Sequence, residues 1–507
     1  MLLTINSKNE GLVFITAWMI VLFSTCLMMG CKKLVESDPP SDSVTDVTVY
    51  SSDATAISVL NGIYSTANNF TFQGAGSINV LAGLDADELT LYNGVTSDYT
   101  KLGHYRNQLS QIVNKPFSGA ENWPFLYSFI FKCNAAIEGL YGSEHLTPAV
   151  KQQLLGEAQF FRALNYFYLV NLFGDVPLPI TTDPEINTKL ARSSREKVYE
   201  QIIADLQQAE EKLSADYLNE TLLGTSQERT RPTKWAATAL LARVYLYTKA
   251  WGKAEEKATS VINNKSFFEL LPLNSVFLKN SREAIWQLQP TAINFNTVDA
   301  QLFIIPQTGP SVFFNPVFLS DTLINSFEPD DLRAKNGNWI NTTIYKLTPT
   351  LNDTVAYAYK YKLNLPDASI TATTGPANMK EYFMMLRLGE QYLIRAEARA
   401  QQGNLMGAKE DLNSIRKRAF SPEKPVTVND KDGLLAAILH ERQVELFTEH
   451  GHRWLDLKRT GKVDEVMKGI TPFKANGAPW QSYQQWYPLP LTIDLQRAPN
   501  LVQNEGY

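Results

Sequence analysis

Apolar positions divide the chain into helical stretches and irregular ones. Residues 153–180 (QLLGEAQFFRALNYFYLVNLFGDVPLPI) show the strongest helical pattern. Phe160, Leu164 and Phe167 fall on one line of a helix, and Leu154, Ala158, Phe161 and Tyr168 on another. A helix apolar on most sides is buried on most sides, so other helices must pack around it. Glu157 and Arg162 lie within this surface and need partners there. Gly174 suits a left-handed C-cap, and Pro177 and Pro179 forbid further helix. Thr147-Pro148 offers an N-cap and a first-turn proline.

The same period recurs. Ala56, Val59, Leu60 and Ile63 mark a first helix over 52–65, and 123–140 returns to helix. Val198, Ile202, Leu206 and Ala209 form a stripe after Ser193 and Glu196, which have capping-box spacing. ALLARVYLYTKAWGKAEEKATSVI reads as two helices, 235–250 and a second face on Ala254, Ala258, Val261 and Ile262. It resembles a tetratricopeptide unit, with alanines where helices approach closely. A second pair spans 386–419. Its first helix carries Leu393, Ala396 and Ala400, its turn Gly403-Asn404, and its second helix Leu405, Ala408, Leu412, Ile415 and Ala419. Residues 434–461 are a helix followed by a charged turn. The prediction is a mostly α fold, a tetratricopeptide-like scaffold over about 120–265 and 381–465, enough pairs for a small solenoid.

Two regions break the pattern. Residues 68–107 have many glycines and few periodic runs, with Phe70, Phe72, Tyr92, Tyr99 and Tyr105 among polar residues, and read as long loops. Residues 266–380 read as an irregular, loop-rich insertion with prolines, short β-like runs such as 284–288, and exposed-looking aromatics Phe313, Phe314, Phe318 and Trp339. Such an insertion beside a rigid scaffold is the expected binding surface. The Pro-rich end, 487–507, is expected to wrap the body.

Composition narrows the class. In 507 residues, 47 Lys+Arg face 52 Asp+Glu, a net charge of −5 without long runs of one sign, which argues against nucleic acid. Cys26, Cys31 and Cys133 are the only cysteines, so no disulfide framework supports the fold. Residues 1–30 read as an export signal, with Lys8 and an apolar run over 11–29. That run nears the length of a membrane span. Leu27-Met28-Met29-Gly30-Cys31 resembles the lipobox of bacterial lipoproteins, with Met28 where leucine is commonest. The resemblance implies cleavage before Cys31 and its acylation. Residues 31–50 are polar and Pro/Ser/Asp-rich, a flexible tether, and Cys133 is expected to be buried and inert.

Five stretches, in order, resemble the RagB/SusD family of nutrient-uptake outer-membrane lipoproteins: EAQFFRALNYFYLVNLFGDVPL, ALLARVYLY, LRLGEQYLIRAEARAQQGN through DLNSIRKRA, ILHERQVELFTEHGHRWLDLKR, and the terminal NLVQNEGY. The resemblance implies one SusD-like domain over 51–507, lipid-anchored to the outer membrane and facing the cell exterior. It implies a non-catalytic protein that captures oligo- or polysaccharide for a SusC-like TonB-dependent transporter. A surface binder of peptide or glycoprotein, or a glycoside hydrolase, is the alternative. Glycan capture needs flat π-faces for the C–H face of a sugar and polar groups for its hydroxyls. The candidates are Tyr92, Tyr99, Phe313, Phe314 and Trp339, with Asp85, Asp87, Asn93 and Arg106 as hydroxyl partners. No cofactor is expected. His450 and His452 lack a third ligand at zinc spacing, 85–88 lacks the rest of a calcium-loop pattern, and Glu441 and Glu445 sit among arginines that favour structural ion pairs.

Overall fold

A computed structural model describes residues 49–70, 76–111, 122–292 and 294–507. The expected signal peptide, Cys31, nearly all of the tether and Phe72 lie outside the described residues. The first elements are α1 (Asp53–Phe70), α2 (Ile78–Asp85), β1 (Leu89–Leu91) and α3 (Tyr99–Arg106). They correct the expectation of long loops over 68–107. All of α2 is buried; INVLAGLD is apolar apart from Asn79 and Asp85 and too short to display a period. Asp98 caps α3 by accepting from the Lys101 amide at 3.1 Å.

The body follows as α4 (Asn122–Gly142), α5 (Pro148–Phe173), α6 (Arg195–Lys212), α7 (Lys234–Tyr247) and α8 (Trp251–Ile262). In α5, residues 153–170 are buried without interruption. It stops at Gly174, whose φ of +79° suits glycine, although its ψ of −130° lies outside the left-handed helical region. Thr147 makes no side-chain cap; its amide donates to Asp53 Oδ1 at 2.9 Å. On α6 the cap is Ser194, one residue later than the capping-box spacing suggested.

Glu157 and Arg162 are internal ties. Glu157 accepts from Arg231 (2.8 Å), Tyr64 (2.8 Å) and Gln153 (2.9 Å). Arg162 grips Asp205 of α6 through Nε (2.8 Å) and Nη2 (2.6 Å) and reaches Asn134 of α4 at 2.9 Å. Burial of such charges is tolerated only with this full pairing.

Each helix from α4 to α8 packs on the next, and the stack resumes with α9 (Leu388–Gln401) and α10 (Leu405–Ala419). Helix α8 packs directly on α9, so the chain leaves the stack and returns to it. The fold is thus mostly helical, with tetratricopeptide-like pairs. Arg243 of α7 locks to Glu390 of α9 with two 2.7 Å bonds. Helices α11 (Lys431–Leu446), α12 (His452–Arg459) and α13 (Val463–Lys474) complete it. Residues Tyr50–Tyr507 form one compact unit.

The intervening segment is more regular than expected. Strand β2 (Ala284–Leu288) pairs antiparallel with β6 (Phe383–Arg387), and β3 (Val317–Leu319) pairs with β1. Strands β4 (Ile340–Thr348) and β5 (Leu351–Ala358) form a hairpin, a correction to the irregular reading. Its alternation is weak because Thr343, not a large apolar residue, takes one of the buried positions.

The acidic run after α2 folds inward. Asp85 sits 3.0 Å from His104 Nδ1 and accepts from Tyr487, while Asp87 pairs with Arg453 at 2.7 and 2.8 Å. This corrects the assignment of Asp85 and Asp87 as hydroxyl partners. Burial, and then the neighbouring Asp87 charge, push the Glu88 carboxyl up to about 8. A carboxyl raised on folding adds stability at acid pH that is lost as pH rises through its folded pKa. Glu88→Gln is therefore expected to flatten the stability profile between about pH 5 and 8, measured by urea denaturation at several pH values. An unchanged slope would show that Glu88 does not titrate on unfolding.

Candidate functional site

The pairing of β1 with β3, in register Leu89 to Leu319 and Leu91 to Val317, brings the early segment onto the insertion. The hairpin packs beside them through β5. Just past β1, the Tyr92 amide donates to Pro316 O at 2.8 Å and its carbonyl accepts from Val95, closing a turn with Asn93 exposed at its tip. The Tyr92 ring lies back over Gly94, where a Cβ would come within 2.5 Å of it.

Immediately before β3, Phe313 and Phe314 stand 86% and 76% exposed. They occupy a turn closed by the Ser311 amide on Asn315 O (3.1 Å). Ser311 Oγ accepts from the amides of Phe314 (3.1 Å) and Asn315 (3.2 Å). Asn315 is buried, and its Nδ2 lies 2.9–3.1 Å from the carbonyls of Gln301, Leu302 and Ile304. The turn's polar groups are paired inward while its two rings face water. Single exposed apolar residues need no explanation, but an adjacent pair held out by a buried anchor does. Asn315→Ala strips donors from those carbonyls. We expect a loss of about 1–3 kcal/mol in denaturant titration.

Tyr345 of β4 is buried against the stretch that leads into this turn. Its ring covers Gly309, which has φ +89° and no room for a Cβ, and its hydroxyl donates to the cross-strand Asp353 at 3.1 Å. Burial, then Asp353 and to a lesser extent Tyr92, raise its phenol pKa, so the hydroxyl stays a donor at neutral pH. Tyr345 is not among the aromatics that the sequence pattern points to. The signal was the alternation of Thr343, Tyr345 and the exposed Ile344 between them.

Residues 37–246 match a family model described as starch-binding and associating with the outer membrane, and residues 315–507 match the SusD family. The chain belongs to the SusD/RagB family. It is similar to SusD-like protein P25 of Formosa agariphila, at 25% identity over 97% of this chain and 99% of that one. A shorter stretch, 24% of this chain and 21% of the relative, is 36% identical to the starch-binding protein SusD of Bacteroides thetaiotaomicron. Among solved structures, the surface glycan-binding protein A of Bacteroides uniformis superposes with a TM-score of 0.71 at 19% identity, covering 89% of this chain and 99% of that one, a likeness of fold.

Within this SusD-like chain the remaining candidates are dispersed. Tyr99 is half-exposed at the start of α3, and Arg106 lies at the other end of that helix, about 10 Å along its axis. Trp339 is a correction: it is fully buried, donates its indole N–H to Leu273 O at 2.9 Å and packs edge-on against Phe277. The two histidines are buried as well, and the His450 ring nitrogen Nε2 faces Met384 O at 2.7 Å. Burial lowers the His450 pKa to about 4, so the ring is neutral and Nε2–H is the donor.

Proposed function

We propose that this protein is a lipid-anchored, surface-exposed binder that captures a glycan without cleaving it and hands it to a SusC-like TonB-dependent transporter. The observation that carries this reading is the Phe313–Phe314 pair, held in water by a turn anchored through the buried Asn315. Two adjacent rings suit the C–H faces of a sugar chain, and Tyr92, Asn93 and Asp353 supply hydroxyl partners. The family description, starch-binding and associating with the outer membrane, supports the ligand class and the location. No helix among the described residues is long and apolar enough to cross a membrane.

The test is affinity electrophoresis in gels carrying soluble polysaccharides. Retardation by at least one polysaccharide is expected, and Phe313→Ala/Phe314→Ala should weaken it roughly tenfold or more without lowering Tm. Unaltered retardation in the double variant would refute the platform. Reducing ends released from any retained polysaccharide would refute the non-catalytic reading.

A further inference from the structure

A second recess, built on different elements, lies between α4, the segment after α5 and the C-terminal turn. It encloses about 500 Å³, within the range of small-ligand sites. One wall is an aromatic stripe on α4: Trp123, Tyr127 and Phe131, four residues apart and therefore on one helix face. Trp123 and Tyr127 pack with centroids 4.7 Å apart, whereas Phe131 is 54% exposed.

The facing wall is held rigidly. Tyr127 donates its hydroxyl to Pro177 O at 2.8 Å, and Asn134 Nδ2 reaches Pro179 O at 3.0 Å and Thr181 O at 3.2 Å. These bonds fix the wall without filling the recess. Asp494 and Arg497 approach from the C-terminal segment, and Trp123 hydrogen-bonds the Asp494 carboxylate.

Two acceptors remain over. Asp494 Oδ2 and Asn187 Oδ1 are withdrawn from solvent and have no donor among the described residues. Both oxygens are as closed to a ligand in the recess as they are to water, so selection falls to the side chains that line it. An anion would face Asp494 and a cation would face Arg497. What satisfies every wall is a neutral, flat-faced, hydroxyl-rich ring.

We propose that this recess is a second carbohydrate subsite, separate from the turn at 311–315, taking a neutral pyranosyl unit or a disaccharide. It extends the glycan reading to other residues, and the two stand or fall separately.

The test is saturation-transfer NMR on the full chain with glucose, mannose, galactose, N-acetylglucosamine, maltose, cellobiose and laminaribiose at millimolar concentrations. Phe131→Ala and Arg497→Ala alter exposed side chains, so folding is spared. At least one sugar is expected to bind with a Kd that rises roughly tenfold in either variant and is unchanged in Phe313→Ala/Phe314→Ala. If no sugar gives a signal that depends on Phe131 and Arg497, the subsite is overturned. If signals depend only on Phe313 and Phe314, the platform stands and the second subsite falls. The reverse outcome leaves the subsite standing and removes the platform.

Discussion

Replacing Glu445 with alanine is expected to cost about 3–5 kcal/mol, a large share of the 5–15 kcal/mol by which a folded domain is stable. Glu445, on α11, is fully buried and accepts from three guanidinium groups on separate stretches of chain. Arg387, at the end of β6, donates at 2.7 Å, Arg418 of α10 at 2.5 Å, and Arg333 of the insertion at 2.9 Å. Glu441, one turn earlier, takes a further bond from Arg333 at 2.6 Å. Arg387 keeps Glu283 and Glu449, Arg418 keeps Glu283, and Arg333 keeps Asp331 and Glu441, but the buried network is one negative charge short, which is why the loss exceeds that of an exposed pair.

Burial alone would raise the Glu445 pKa, but Arg418, Arg387 and Arg333 outweigh it and hold the carboxyl well below the usual range. A carboxyl depressed on folding contributes stability that is present above its unfolded pKa of about 4.3 and is lost as pH falls toward the folded value. The wild-type advantage over Glu445→Ala should therefore be constant near neutrality and shrink only below about pH 4.5. Guanidinium denaturation midpoints from pH 7 downward measure this. A variant within about 1 kcal/mol of wild type at pH 7 would mean that the network is dispensable.

Cys31→Ala carries the other large effect, release of the protein from the outer membrane into the soluble fraction. Each buried CH2 contributes about 0.8 kcal/mol, and one acyl chain holds only marginally, whereas the several chains of a lipoprotein cysteine hold stably. Alanine accepts none of them. Fractionation of cells expressing each form, followed by detection of the protein, gives the answer. Retention of the alanine form with the outer membrane would refute acylation at Cys31.

The helical pairs were legible because their signal is local. Leu393, Ala396 and Ala400 repeat at the helical period within a few turns, as do the positions of α5. Four of the five stretches that carry the RagB/SusD resemblance lie mainly on scaffold helices, and the fifth, NLVQNEGY, lies outside them. The segments that build the candidate site were harder. Helix α2 escapes the pattern because eight residues, six of them apolar or glycine with no polar face, carry no period, and the β4–β5 hairpin because a threonine sits where a strand usually places a large apolar residue. Tyr92, Phe313 and Phe314 were picked out as aromatics in irregular stretches, and the structure places them around the β1–β3 pair. Trp339 was picked out on the same ground and is core.

What separates Trp339 from Phe313 is decided by contacts far away in sequence. Trp339 is covered by Leu273 and Phe277, and Phe313 is lifted out by Asn315 bonding to carbonyls at 301, 302 and 304. By itself the sequence determined the helical scaffold, the family and the polar, weakly charged character of the chain. The tertiary structure alone decided which aromatic faces reach water, because helical periodicity is written in neighbouring residues whereas burial depends on which distant segment packs on top.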